Sequence, residues 1–386
     1  MRGVVILLVA MLLGCTEMTT EEPAINASPT PPVYTTVEEN TTEAASAPLP
    51  VHITDPLPAS TLTPCRGAQL FEYDEGNVRD ELPRASENER IMVARSGDGL
   101  DWDRMDRILM DAATTPDAVV DAHGRIYVYA KHYHYCEEDA EGFAVAVSDD
   151  RGWSWHYYWA EIDGLPSTMT QEQPDVIALP DGRFRMYFAS SDLLETRPQC
   201  DDDEGRNVLA CAKLYSAISE DGVHFSLEEG VRFELDRQHV THPTVLHAQR
   251  YQLFSRSANG NYRAVSEDGI SFIGASGYCW ALAPGRCIRM ANGLTVPEGY
   301  RFYGAEIDPL LGESLAVYSL FSRTGESWVV EDGYRLLFNQ SRRLESDFIG
   351  DPAVAKASNY YWMFYSTAIP DNDPAVASDY ARQAGG

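Results

Sequence analysis

The runs "TPDAVV", "QPDVIA", "HPTVLH" and "DPAVAK" each carry a proline beside side chains that can do chemistry. Side chains alternate along a strand, so the residues before and after each proline are expected on one face. The pairs are Thr115 with Asp117, Gln173 with Asp175, His242 with Thr244, and Asp351 with Ala353. Carboxyl groups and an imidazole suit general acid–base work, in which one group gives a proton and another takes one. Glu172 adjoins the second pair, while Arg289, Asn292 and Glu306 fall in a less regular fourth stretch, "RMANGLTVPEGYRFYGAE". "HYHYC" puts His132, His134 and Cys136 on one strand face at a spacing that zinc could use, but no fourth ligand is evident and Cys136 is wanted for a disulfide. A packed aromatic strand end is expected there, with no metal assigned.

Two interleaved repeats must position these residues. "SDDRGWSW" (Ser148 to Trp155) has shorter relatives in "SGDGLDW", "SEDGVHF", "SEDGISF" and the degraded "SRTGESW". The Asp of such a turn can accept backbone N–H groups, the Gly permits positive φ, and the final aromatic packs beneath the hairpin, which makes the motif a structural clasp. Between the clasps, each proline-bearing strand leads through a turn into an aromatic-rich second strand such as "RFRMYFAS" or "NYYWMFYST". Tyr127, Tyr129, Phe184, Tyr187, Tyr251, Phe254, Tyr361 and Phe364 are expected to pack between units. Units of four antiparallel strands in series are the signature of a β-propeller. The domain opens on the second half of a unit, "NERIMVARSGDGLDW", and closes on a first half, "DPAVAKASNYYWMFYS", so strands from both termini complete the last blade and remove exposed edges. The expected fold is therefore all-β, a five-bladed β-propeller of four-stranded antiparallel blades.

The ends of the chain bear on location. Met1-Arg2-Gly3 and the apolar run Val4 to Leu13 read as a signal peptide, too short to span a bilayer. "LLGC" resembles the lipobox of bacterial lipoproteins, which implies lipidation of Cys15; an ordinary secretory signal cut nearby is the alternative, and both export the chain. Thr16 after that cysteine favours an outer-membrane or surface address in a cell with two membranes. Residues 15–64, rich in Thr, Pro and Glu, are expected to be a disordered tether, 65–370 the propeller and 371–386 a tail. Beyond Cys15 there are six cysteines, which allow fifteen pairings. Proximity selects Cys200 with Cys211 and Cys279 with Cys287, leaving Cys65 for Cys136. The net charge of −29 opposes nucleic acid and anionic lipid, so membrane contact is expected through the lipid anchor only.

The full clasp resembles the Asp box of sialidases. Its short form, with "DPAV" and "YYWMFYS", looks like the five-bladed superfamily of arabinanases, β-xylosidases and invertases. No Arg-Ile/Leu-Pro signature of sialidases is present. The superfamily resemblance implies a carbohydrate ligand in a central funnel, where acidic side chains of the innermost strands converge, and glycoside hydrolysis by an acid and a second carboxylate. On that pattern Asp117 and Asp175 match the base and its helper, with His242, Arg289, Asp351 and Gln173 binding substrate. The superfamily's general acid is a Glu on the third blade, where this chain has His242; "EQPDV" resembles the Glu-Cys-Pro-Asp of invertases one blade early, so Glu172 and Glu306 are the substitutes. A non-catalytic propeller holding a glycan or protein at the cell surface is the rival. No cofactor is expected, although the resemblance allows a calcium or other cation at the axis beside His242, and the chain is expected to be monomeric.

Overall fold

The computed structural model describes residues 89–133, 141–194, 200–201, 207–208, 210–257, 260–283, 286–307, 314–339, 341–342 and 344–368. The regular elements among them are all β-strands. Cys15, Cys65, His134, Cys136, the expected tether and the expected tail lie outside the described residues.

Most of the described strands fall into successive antiparallel units, the first two of which are joined into one eight-stranded sheet by the parallel pairing of His224 to Ser226 with Glu161 to Asp163. Unit 1 comprises Ala113–Val120, Ile126–Tyr133, Glu141–Ser148 and His156–Asp163; unit 2 comprises Glu172–Ala178, Phe184–Ser190, Lys213–Ser219 and His224–Leu227. Unit 3 comprises Thr241–His247, Tyr251–Ser257, Gly260–Ser266 and Ile273–Tyr278. Unit 4 runs through Arg286–Val296, Gly299–Ile307 and Ser314–Ser322, and its outer edge is split into Val329–Val330 and Leu336–Leu337. That split departs from the plain fourth strand expected from the repeat. The chain turns out at Gly333, with φ at +77°, and the Arg335 guanidinium donates back to the carbonyl of Gly333 at 3.0 Å. Unit 5 joins Ser346–Ala357 and Tyr360–Ala368 to Glu89–Ser96 and Asp103–Asp111. Its seam is the antiparallel pairing of Glu89 with Ala368 through Ser96 with Tyr361, as the two half-units in the sequence imply.

The first strands of units 1 to 5 touch one another in a closed ring, unit 5 returning to unit 1. This arrangement is consistent with a β-propeller. The second strands "FRMYFAS" and "YQLFSRS" are buried along their whole length, because each is covered by neighbouring units on both faces. All eight aromatics expected between units are buried. The two short-range disulfides, Cys200–Cys211 and Cys279–Cys287, form with Cα separations of 5.8 and 5.3 Å.

The clasps have the expected local chemistry. Asp268 Oδ1 accepts the N–H groups of Ile270 and Ser271, both at 2.8 Å, and Asp98, Asp150 and Asp221 do the same in their own turns. In the degraded copy Thr324 stands for the aspartate, and its hydroxyl accepts from Glu326 N. The aromatic at the end of each clasp goes further than the hairpin beneath it. Trp102, Trp155, Phe225, Phe272 and Trp328 lie edge-on against Tyr303, Phe364, Tyr129, Tyr187 and Phe254, each on the second strand of the neighbouring unit, with ring centroids 5.6 to 6.4 Å apart. Tyr129, Tyr187 and Tyr303 also donate their hydroxyls at 2.8 Å to the carbonyls of clasp glycines 222, 269 and 99. The motif therefore fastens units to each other.

Candidate functional site

At the entry of the first strands the chain departs from regular pleating. Thr115, Gln173, His242 and Asp351, the residues before the prolines, have φ of 48°, 52°, 49° and 42°. The ladder register slips at the same places, between Thr114 and Asp117, Glu172 and Asp175, Thr241 and Thr244, and Gly350 and Ala353. These are bulges, and an extra residue in a strand reverses the facing of the residues beyond it. The expected shared face is accordingly lost for Thr115 with Asp117 and for Gln173 with Asp175, whereas His242 and Thr244 both reach the pocket. Thr115, Gln173, His242 and Asp351 line one pocket, open to solvent, with Arg256, Thr244, Ala291 and prolines 116, 174 and 243.

Asp117 and Asp175 do not line this pocket. They are 1% and 3% exposed, beneath it, and tie one first strand to the next. Asp117 accepts Val176 N at 2.7 Å and Asn292 Nδ2 at 2.7 Å, while Asp175 accepts Val245 N at 2.9 Å. Asn292 continues the series by accepting Val354 N at 2.8 Å, so the position after the proline, or its equivalent, serves as an inter-strand tie. Burial pushes the Asp117 carboxyl up to about 6, against the pull of the donors it accepts. Burial, and then the charge of Asp117, hold Asp175 well above the usual carboxylate range.

The other candidates are dispersed. Glu172 has its side chain 35% exposed and pairs with Lys131 Nζ at 3.2 Å. Glu306 is buried on the second strand of unit 4, in register with Ile288, and is not among the pocket-lining residues. Arg289 is half-buried beside the site and acts on His242 through its charge. Desolvation, followed by the charges of Arg256 and Arg289, holds the His242 imidazole well below its usual pKa, so it is neutral at pH 7. Its backbone N–H donates to Gln173 Oε1 at 2.8 Å, which orients that amide at the pocket wall. Cationic neighbours of this kind do not suit a bound cation beside His242, and among the described residues no cluster of three His, Cys, Asp or Glu side chains is placed to hold a metal.

Arg256 is the pocket residue that sequence reasoning missed. It lies on the second strand of unit 3, in register with Thr241, and reaches Asp351 Oδ1 of unit 5 at 3.3 Å. Its signal was a lone charge within the otherwise uncharged strand "YQLFSRS". The lining thus offers one carboxylate, one guanidinium, a neutral imidazole, an amide and two hydroxyls. Such a set can hold a ring of hydroxyls through several directed hydrogen bonds, whereas glycoside hydrolysis needs a second carboxyl group within reach.

No protein-family model and no curated protein matches the sequence. Among solved structures, a protein of unknown function from Dyadobacter fermentans overlays with a TM-score of 0.50 at 13% identity, covering 74% of this chain and 86% of that one. The likeness is one of fold. A glycosyl hydrolase from Bacteroides ovatus overlays at 0.48 with 11% identity, over 70% and 87% of the two chains. An endo-arabinase from Bacteroides thetaiotaomicron gives 0.45 and 13%, over 67% and 95%.

The buried pair has a consequence for stability. A carboxyl whose folded pKa is raised from 3.8 to about 6 contributes stability that is fully present below 3.8 and is lost as pH rises through 6. The urea midpoint of the wild type should therefore fall between pH 5 and pH 7, and Asp117→Asn should flatten that fall. Equal slopes in the two proteins would show that Asp117 does not titrate in this window.

Proposed function

We propose that this chain is a five-bladed β-propeller that binds a sugar in the pocket at the entry of its first strands, at the surface of the cell that exports it. The observation that carries this reading is the set of four left-handed, non-glycine residues that turn Thr115, Gln173, His242 and Asp351 into one pocket. Backbone strain of this kind costs about 1–3 kcal/mol per residue and gathers at ligand sites. The amide, hydroxyls, imidazole, carboxylate and guanidinium of its wall suit the hydroxyls of a sugar ring. Binding without cleavage is favoured because, among the described residues, Asp351 is the one carboxylate in the lining. Export and lipidation at Cys15 rest on the "LLGC" ending, and a tethered binder at the surface unites the two halves of the reading.

The test has two arms. Titration of the protein with methyl glycosides, followed by NMR or calorimetry, should show binding of at least one sugar, weakened by about tenfold or more in Gln173→Ala, which removes directed hydrogen bonds. Nitrophenyl glycosides of the same sugars should release no nitrophenol. Release that Asp351→Asn abolishes would instead establish a glycosidase, and absence of all binding would end the sugar reading. Expressed with its own leader, the chain should partition with membranes, and Cys15→Ser should not.

A further inference from the structure

Arg256 is 8% exposed, and its Nε is buried without an acceptor. A guanidinium carries five N–H donors, and among the described residues Arg256 makes a single long contact, 3.3 Å from Nη2 to Asp351 Oδ1. Thr115 Oγ1 is likewise buried without a partner in the same pocket wall. Orphaned polar atoms cost about 1–3 kcal/mol each when left dry, and these two belong to residues that line the pocket, where a ligand can supply the missing partners.

We propose that the pocket takes a sugar bearing a carboxylate, a uronic acid residue, with the acid group on Arg256 and the ring hydroxyls on Asp351, Gln173 and Thr115. This rests on the pocket being a sugar site. A carboxylate presents two acceptors to the planar guanidinium fork, and bonds between charged partners are roughly twice as strong as those to a hydroxyl. The −29 charge of the chain does not forbid an anion here. Charges farther than about 8 Å are screened at physiological ionic strength, so the local groups decide. Around His242, burial first and then the charges of Arg256, Arg289 and His239 keep the imidazole neutral, and the two guanidinium groups leave the pocket wall attractive to negative charge. Asp351 meets Arg256 through one oxygen, and its side chain lines the pocket where ring hydroxyls would lie.

The experiment compares acid and neutral partners of one configuration: methyl galacturonoside with methyl galactoside, and methyl glucuronoside with methyl glucoside. Binding is read by calorimetry on the full chain at low and high salt, with Arg256→Gln and Arg256→Lys alongside and thermal melts to establish that each variant is folded. The expected result is an acid partner bound about tenfold or more tightly than its neutral counterpart. That preference shrinks in high salt, falls toward one in Arg256→Gln, and is intermediate in Arg256→Lys, which keeps the charge but not the fork. Equal or better binding of the neutral partner overturns the carboxylate assignment and leaves the sugar site standing. Failure of every sugar, acid or neutral, overturns both. Should Arg256→Gln not fold, the wild-type ratio and its salt dependence decide by themselves.

Discussion

Asp117→Ala should lower the stability of the propeller by about 3–5 kcal/mol, because it strands two donors in the middle of the ring of first strands. Val176 N and Asn292 Nδ2 both give their protons to this carboxylate at 2.7 Å, and with Asp117 1% exposed no solvent can replace it. Whole domains are stable by about 5–15 kcal/mol, so the loss is a large share of the total. Asp175→Asn is the informative contrast. Burial raises its carboxyl well above the usual carboxylate range, which disfavours the charged form, and the amide oxygen of asparagine can still accept Val245 N, so a change within about 1 kcal/mol is expected. Urea unfolding of both variants at pH 7 measures the difference. If Asp117→Ala unfolded at the wild-type midpoint, the ties between first strands would not be holding the ring.

Trp362→Ala is expected to cost about 3–5 kcal/mol by opening a cavity at the seam of unit 5. The indole is 0% exposed and packs in one cluster with residues of units 1 and 5, including Trp155, Leu109 and Ala355. It also fills the space over Gly152, where an added Cβ would come within 2.8 Å of the ring. The clasp "SDDRGWSW" therefore needs both the glycine and the tryptophan of its neighbour. Trp362→Phe should be far milder, since among the described residues the indole N–H has no hydrogen-bond partner to lose. For a domain of this size each kcal/mol lowers the melting temperature by about 2–4 °C, so a drop of roughly 10 °C is the expected readout for alanine. Equal melting of the alanine and phenylalanine variants would mean that ring volume at this seam is not what secures the closure.

Much of this protein is written locally. The spacing from Ser to Asp to Gly to aromatic within seven or eight residues dictates each clasp, because a turn is built from neighbours in the chain. The short disulfides, the all-β class and the joining of a first half-unit at Tyr360–Ala368 to a second at Glu89–Ser96 come from similar short-range or repeat logic. Tertiary structure decided which side chains reach the pocket. Strict alternation puts Asp117 beside Thr115 and Asp175 beside Gln173, yet an added residue at these two bulges sends the pre-proline side chain into the pocket and the post-proline one beneath it. Nothing local announces that change, since the bulge is fixed by the amide of the next strand, Val176 or Val245, which lies some 60 to 70 positions away in the chain. Arg256 became a pocket residue for the same reason: only the closed ring brings unit 3 within reach of Asp351 in unit 5. Periodicity reports what a residue does within its own strand, and the pocket is made where several strands meet.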